Sequence, residues 1–225
     1  MTCKVCGNEC LDLGSVAYNE FQRGESGDLT EKLYQQHMVG CNHCGLVYAA
    51  NPPKEDELAY LYDGGDDYTN YSDDRVEKHN YLERAQKAKH LFEALDLKYD
   101  TILDIGASTG YFLSLFKDEK GIAGMDTSSL GVHLAKNRYG IDIWKGYAND
   151  FFAENEEDFD LITFMHVLEH IEDPLTFIKD LRPHNTKYLY CEVPSIEGKL
   201  LNEPYGLFAQ ENLNYFSQNS LETLL

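Results

Sequence analysis

Between residues 102 and 112 the chain reads ILDIGASTGYF. Two apolar residues lead into an acid, then small residues, then an aromatic pair. A strand that ends in small residues and turns into a helix presents bare amides at its carboxyl end, where a nucleotide sits. The spacing narrows the choice of nucleotide. Gly106-x-Ser108-x-Gly110 differs in its last interval from the dinucleotide fingerprint G-x-G-x-x-G. Asp104 stands two residues before the first glycine, and a carboxylate beside the turn repels a pyrophosphate and suits a cation. Ala107 and Tyr111 complete the turn. Asp126 closes the next apolar segment, where a carboxylate takes both hydroxyls of a ribose, and Thr127 and Ser128 follow it. Asn149 and Asp150 come after the third segment, at the place of an adenine edge. An adenosine with a positive group and no phosphate describes S-adenosylmethionine.

A second chemistry stands ahead of this one. Cys3-x-x-Cys6 and Cys41-x-x-Cys44 are each followed by glycine, in CKVCGN and CNHCGL. A CxxC turn brings two thiolates to one side of a tight loop, and two such turns make a tetrahedron of four. Cys3, Cys6, Cys41 and Cys44 are therefore read as ligands of a structural zinc ion with no open position for catalysis. His37 and His43 are alternative ligands, and Cys10 and Cys191 are left over.

These residues need elements to hold them. From about residue 100 short apolar strands alternate with helices: TILDIG, then YFLSLFKDE; GIAGMD, then SLGVHLAKNRYG; DIWKG; FDLITFMHVLEH; PLTFIKDLRP; KYLYCEVP. Such alternation predicts an α/β fold with a parallel sheet and right-handed crossovers. Residues 1–50 read as a small zinc ribbon of strands, and residues 51–98 as a connector and substrate cap. That connector has a helix over 54–61, a loop dense in Tyr60, Tyr62, Tyr68 and Tyr71, and a helix with apolar Val76, Leu82, Ala85, Ala88, Leu91, Phe92 and Leu95. Residues 99–225 form the nucleotide domain. The tyrosines either pack across a junction or reach into a substrate pocket. The tail ENLNYFSQNSLETLL reads as a loop and the start of a helix.

Bulk properties exclude some classes. The chain has 225 residues, 43% of them hydrophobic, and a net charge of -20. That field repels phosphate backbones, so nucleic acid is not an expected partner. No apolar run approaches the roughly 20 residues that span a bilayer, and MTCKVCGNEC has no signal-peptide core. A cytoplasmic protein without a membrane partner is expected.

The series D-x-G-x-x-x-G, an acid closing the second strand, and HVLEH after the fourth strand resembles the class I S-adenosylmethionine-dependent methyltransferases over residues 100–200. The resemblance implies a Rossmann-like sheet, with Asp104, Gly106, Ala107, Ser108, Gly110, Tyr111, Asp126, Thr127, Ser128, Asn149, Asp150 and His166 around the cofactor. Ser108 replaces the middle glycine of the usual turn and fits if its φ is negative. Such a sheet normally finishes with a further antiparallel strand pair. No sequence for it follows Leu225, so the sheet is expected to be cut short at its C-terminal side or completed differently.

With four cysteines ahead of it, the arrangement also resembles sugar C-methyltransferases with a zinc-binding N-terminal domain. The shared stretches are DDYTNYS, His79, FMHVLEHIEDP and ENLNYFSQNSL. In that family the last motif reads E-H-x-x-Y-F-S, and its histidine is the base that deprotonates a sugar carbon. Here the pair is Glu211-Asn212, and an asparagine cannot accept a proton at neutral pH. A carbon acid needs a strong base, a hydroxyl a modest one. The reading is O- or N-methylation of a sugar-like small molecule, with His166 and His170 as bases and Glu211 and Tyr68 as helpers. His166 could instead cap the turn after the fourth strand. A non-catalytic zinc-ribbon binding protein is the alternative from another class, and a nicotinamide enzyme is disfavoured by the glycine spacing.

Overall fold

A computed structural model describes residues 1–23, 29–53, 81–181, 185–197, 208 and 211–225. Its contacts divide the chain into two compact units. The ribbon unit holds Met1–Leu58, His166–Leu181 and Glu192–Leu225, and the sheet unit holds Ala59–Met165 and Arg182–Cys191. These units interleave in sequence. Among the described residues no helix is long and apolar enough to cross a membrane.

The ribbon unit is built on an antiparallel sheet. Strand β1 (Cys10–Arg23) pairs with β2 (Leu29–Cys41), and β2 with β3 (Val47–Ala49). The register of β1 slips between Asp12 and Gly14, where the Gly14 N–H donates to Asp12 Oδ1 at 2.7 Å. This is a β-bulge, a device that bends the exposed end of a strand. Met38, Ala49, Ile196 and Tyr215 form the core of the unit, with Val16, Val47 and Phe208 packed on it.

The tail is where the sheet differs from expectation. Asn214–Tyr215 is not a loop but a short strand, β9, and it pairs antiparallel with β3. The reason is burial: Leu213, Asn214, Tyr215 and Phe216 are all buried, so this stretch must satisfy its amides within the protein. The helix that follows, Gln218–Leu224, opens on a capping box. The Ser217 hydroxyl accepts from the Ser220 N–H at 3.1 Å, and the Ser220 hydroxyl accepts from the Ser217 N–H at 2.9 Å.

The sheet unit contains the expected α/β architecture. The order is β6-β5-β4-β7-β8, from Trp144–Lys145, Gly121–Asp126, Thr101–Ile105, Leu161–Met165 and Tyr188–Glu192. The pairings β4–β5, β4–β7 and β5–β6 are parallel. The chain enters at the centre, runs outward through β5 and β6, and returns on the other side of β4. That reversal makes a topological switch point between β4 and β7, where such sheets bind ligands at the strand carboxyl ends. Leu161, Ile162 and Phe164 are fully buried, as expected for a strand covered on both faces. Among the described residues the parallel sheet has five strands, and β9 joins the ribbon sheet instead.

The helices are α1 (Tyr81–Ala94), α2 (Tyr111–Ser114), α3 (Ser129–Tyr139) and α4 (Ala148–Glu154) in the sheet unit. The ribbon unit adds α5 (Pro174–Leu181) and α6 (Gln218–Leu224). In α1 the buried stripe is Ala85, Ala88 and Phe92, while Leu91, and Leu95 just past the helix, are 44% and 60% exposed. Phe92 decides that rotation. Its ring stacks edge-on against Tyr190 at 5.1 Å and Phe112 at 6.4 Å, a burial contributing about 2–3 kcal/mol. Helix α2 is shorter than YFLSLFKDE suggested. After Ser114 the amides of Leu115 and Phe116 bond three residues back, to Phe112 and Leu113, which tightens the chain into turns.

Candidate functional site

Strand β4 ends at Ile105, and the turn that follows is held from two sides. The amides of Gly106 and Ala107 both donate to the Met125 carbonyl at 2.9 Å. The Ser108 N–H donates to Asp126 Oδ2 and the Ser128 N–H to Asp126 Oδ1, each at 2.7 Å. One carboxylate thereby ties the turn after β4 to the loop after β5. The Ser128 hydroxyl then accepts from the Gly131 N–H at 3.1 Å and caps α3. Gly110 caps α2 at φ +75°, and a Cβ there would meet the Ala135 Cβ at 3.0 Å. Both its backbone angle and its surroundings require glycine.

Ser108 departs from expectation. Its φ is +49°, not negative. Gly131 of α3 lies against the backbone of this residue, where a Cβ would stand 3.1 Å from the Ser108 carbonyl oxygen. Together with the Asp126 bond, this close approach holds the turn in the left-handed region. An L-residue there costs about 1–2 kcal/mol, and glycine carries about 0.5–1 kcal/mol of extra backbone entropy. Ser108→Gly is therefore expected to stabilise the protein by about 0.5 kcal/mol in denaturant unfolding. A loss of more than about 1 kcal/mol would show that the serine hydroxyl contributes a bond of its own.

Asp104 is 1% exposed. Its Oδ1 accepts from the Thr163 hydroxyl at 2.6 Å, while Oδ2 has no hydrogen-bond partner among the described residues. Burial pushes this carboxyl up to about 7, against the opposing Thr163 bond and with help from the nearby Asp126 charge. Asp126 is also raised, by burial first, against the amides of Ser128, Ser108 and Thr127. Tyr81, at the start of α1, donates its hydroxyl to the Ala107 carbonyl at 3.3 Å. Its ring lies 6.3 Å from that of Tyr111, whose hydroxyl accepts from Gln86 Nε2 at 2.9 Å. Thr127 is half-buried. Asn149 and Asp150 are exposed in the first turn of α4.

In the ribbon unit, His166 follows β7 and takes φ +56°. Its N–H donates to the Glu192 carbonyl at 2.8 Å. Its Nδ1 is 3.1 Å from Glu169 Oε1, and its Nε2 is 3.6 Å from Glu192 Oε1. A 3₁₀ turn follows at Leu168–His170. The tail clamps this turn: Leu213 N–H donates to the Glu169 carbonyl at 2.8 Å, and Asn214 Nδ2 to Ile171 O at 2.6 Å and Leu168 O at 3.3 Å. His170 Nδ1 lies 2.8 Å from the Glu211 carbonyl oxygen. A carbonyl only accepts, so Nδ1 carries the proton. Thus His166, His170 and Glu211 are brought together around one turn, Glu211 through its backbone. Asn212 is half-buried. Tyr68, like Tyr60, Tyr62, Tyr71, His79 and the helix expected over 54–61, lies outside the described residues.

The sulfur atoms of Cys3, Cys6, Cys41 and Cys44 all lie within 4.8 Å of one another. Cys3 Sγ is 3.6 Å from Cys44 Sγ, and Cys6 Sγ 3.5 Å from Cys41 Sγ. Zinc–sulfur bonds of about 2.3 Å give a tetrahedron with edges of about 3.8 Å, so the cage has the size of a zinc site. The amides of Val5 and Cys44 point at the sulfurs of Cys3 and Cys41, each at 3.5 Å. Gly7 and Gly45, at φ +72° and +81°, close the two knuckles. His37 lies instead beside Asp12, at 3.3 Å. Cys10 sits outside the cage, 3.9 Å from the Tyr48 hydroxyl.

A family model described as a methyltransferase domain matches residues 75–225, well over half of the chain. The chain belongs to this methyltransferase-domain family. Among curated relatives, the ubiquinone biosynthesis O-methyltransferase of Aromatoleum aromaticum is 29% identical over 117 residues, covering 44% of this chain and 50% of that protein. Its counterpart in Coxiella burnetii is 28% identical over 131 residues, covering 56% of this chain and 55% of that protein. The chain spans about half the length of the curated relatives it matches. Among solved structures, the plantazolicin methyltransferase BpumL in complex with S-adenosylhomocysteine (SAH) is similar in fold. Its TM-score is 0.51 at 19% identity, over 75% of this chain and 72% of that one.

The methyltransferase match takes in the Asp104–Gly110 turn, Asp126 and the His166–His170 turn, and leaves the four cysteines outside it. The residues at the turn fit the family's sulfonium cofactor. A buried carboxyl with an unmatched oxygen suits an ammonium group, and Asp126, with three amides on its two oxygens, keeps one lone-pair site for a ribose hydroxyl. Tyr81 is the residue that the sequence reading missed. Its only signal was a tyrosine at the start of the helix before β4, and a tyrosine alone does not announce a bond to a turn 26 residues away. Glu192 was also missed, because nothing local ties it to His166.

Proposed function

We propose that this methyltransferase domain transfers a methyl group from S-adenosylmethionine to an oxygen or nitrogen of a small, sugar-like acceptor. The observation that carries the reading is the unmatched buried oxygen of Asp104 beside the Gly106–Gly110 turn. When bound, S-adenosylmethionine supplies an electrophilic methyl group on a sulfonium sulfur. Asp104 holds the ammonium end, the turn from Gly106 through Ala107 and Ser108 to Gly110 and Tyr111 borders the methionine moiety, and Asp126 takes the ribose. Thr127, Ser128, Asn149 and Asp150 border the adenosine. His166 accepts the proton that the acceptor hydroxyl or amine releases, with His170 beside it and Glu211 and Tyr68 as helpers.

Asn212 favours oxygen or nitrogen over carbon, since it offers no base for a carbon acid. The names of the curated relatives, O-methyltransferases of ubiquinone biosynthesis, support an oxygen acceptor. The resemblance of ENLNYFSQNSL to sugar-modifying enzymes supports a sugar-like one. The four cysteines hold a structural zinc ion in this reading.

Calorimetric titration with SAH, with NAD as the control, tests the cofactor. Binding near the micromolar range, about -8 kcal/mol, and none for NAD is the expected result. Binding of NAD alone would sink the proposal. Nucleotide sugars are then screened for methyl acceptance. A His166→Ala, His170→Ala double variant is expected to lose about 10²–10⁴-fold in transfer rate with SAH affinity retained. An unchanged rate would remove both histidines from proton transfer.

A further inference from the structure

His166 stands between two carboxylates, one at each ring nitrogen, and only one of its nitrogens can act as a base. Glu169 Oε1 is 3.1 Å from Nδ1, and the Glu169 side chain is 3% exposed. Glu192 Oε1 is 3.6 Å from Nε2, and its side chain is 28% exposed. A neutral imidazole carries one proton, and it resides on the nitrogen with the stronger acceptor. The nearer and more desolvated carboxylate is the stronger one.

We infer that Glu169 is the positioning residue for His166: it holds the proton on Nδ1 and leaves Nε2 as the acceptor. The inference rests on the proposed role of His166 in proton transfer and names the group that makes that role available. Glu169 is placed for this from both ends. Its carbonyl is tied down by the Leu213 N–H, and its Oε2 has no hydrogen-bond partner among the described residues, so its bond to Nδ1 has no internal rival. His166 is pinned as well, at φ +56° with its N–H on the Glu192 carbonyl. A left-handed non-glycine residue persists where its surroundings over-determine it. In the reaction the acceptor hydroxyl proton passes to Nε2, and the resulting imidazolium lies between Glu169 and Glu192 until solvent removes that proton. Had Glu192 won instead, Nε2 would be protonated and the ring closed as a base.

The test needs no acceptor molecule. The 225-residue chain, labelled with nitrogen-15 in histidine, is observed by long-range proton–nitrogen correlation at about pH 9, where an ordinary imidazole is neutral. The His166 signals are assigned by their loss in His166→Gln. The wild type is expected to show protonated Nδ1 and bare Nε2. Glu169→Gln is expected to move the proton to Nε2, because among the described residues Glu192 is then the one carboxylate at the ring, and to keep SAH affinity within about twofold. Glu192→Gln is expected to leave the proton on Nδ1. A wild-type ring protonated on Nε2 overturns the inference even if Glu169→Gln fails to fold, and so does an unmoved proton in a folded Glu169→Gln. SAH titration of the same samples reads the cofactor site independently, so failure of the inference is distinguishable from failure of the proposed function.

Discussion

Asp104→Asn is expected to weaken SAH binding by about 10–100-fold, the range of a desolvated hydrogen bond to a charged group at about 1.5–3 kcal/mol. In the free protein the Asp104 carboxyl sits at about 7 because it is buried, with Oδ2 unmatched. Its ionised fraction therefore rises from about one tenth at pH 6 to about nine tenths at pH 8. An ammonium group selects the ionised form, so wild-type affinity for SAH is expected to rise about tenfold across that interval. The carboxamide of the variant has no proton to lose, so its binding is expected to be flat over the same range. Calorimetry at pH 6, 7 and 8 on both proteins is the measurement. A wild-type affinity that does not change would mean that Asp104 does not hold the ammonium end.

The same shift has a stability consequence of opposite sign. Folding raises this carboxyl from 3.8 to about 7. Between those values the folded chain holds a proton that the unfolded chain has released. Stability of the ligand-free protein therefore falls as pH rises from about 4 to about 7, by up to about 4 kcal/mol from this group. Above pH 7 the full penalty remains in the ligand-free protein. Asp104→Asn is expected to lack this slope, so its melting temperature should exceed that of the wild type at pH 8 and not at pH 4.

The second large effect is metal removal. Chelation of the proposed zinc ion is expected to unfold the ribbon unit, because structural zinc contributes apparent binding free energy of about 10 kcal/mol or more. The consequence reaches the histidine turn through bonds within that unit. The Cys44 carbonyl accepts from the Ser217 hydroxyl at 3.1 Å and from Asn219 Nδ2 at 3.0 Å. Gly45 leaves the room for this, since a Cβ there would lie 2.6 Å from the Ser217 Oγ. The tail anchored at Ser217 then supplies β9 and the bonds from Leu213 and Asn214 to the turn at Leu168–His170. Hydrogen exchange is the direct measurement. Amides of β2, β3, β9 and Glu169–Ile171 should lose protection on chelation, while those of β4 and β5 keep it. SAH affinity should change by less than about threefold, because Asp104, Ser108 and Asp126 belong to the sheet unit. Protection lost equally in both units would show that the metal supports the whole chain.

Much of this protein was legible in its residues because the relevant physics is local. A CxxCG knuckle needs only a tight turn and a glycine, so the four thiols could be grouped before any strand was placed. An apolar strand ending in Asp104-Ile105-Gly106 needs only its own amides to suggest a ligand, and the alternation of strands and helices implies a parallel sheet. Tertiary structure decided the rest. Whether Ser108 takes a positive φ depends on Asp126 and Gly131, which the serine meets only after β5 and α3 are in place. Which face of α1 is buried depends on Phe92 finding Tyr190 across the sheet. The tail Asn214–Tyr215 carries the composition of a loop and becomes a strand because β3, far earlier in the chain, offers an open edge. Which carboxylates flank His166 depends on Glu169 and on Glu192, which comes 26 positions after it. Sequence determined which chemical groups the chain carries and which short turns present them. Packing determined which groups share a proton or a hydrogen bond, because those energies depend on distances between segments that no local spacing encodes.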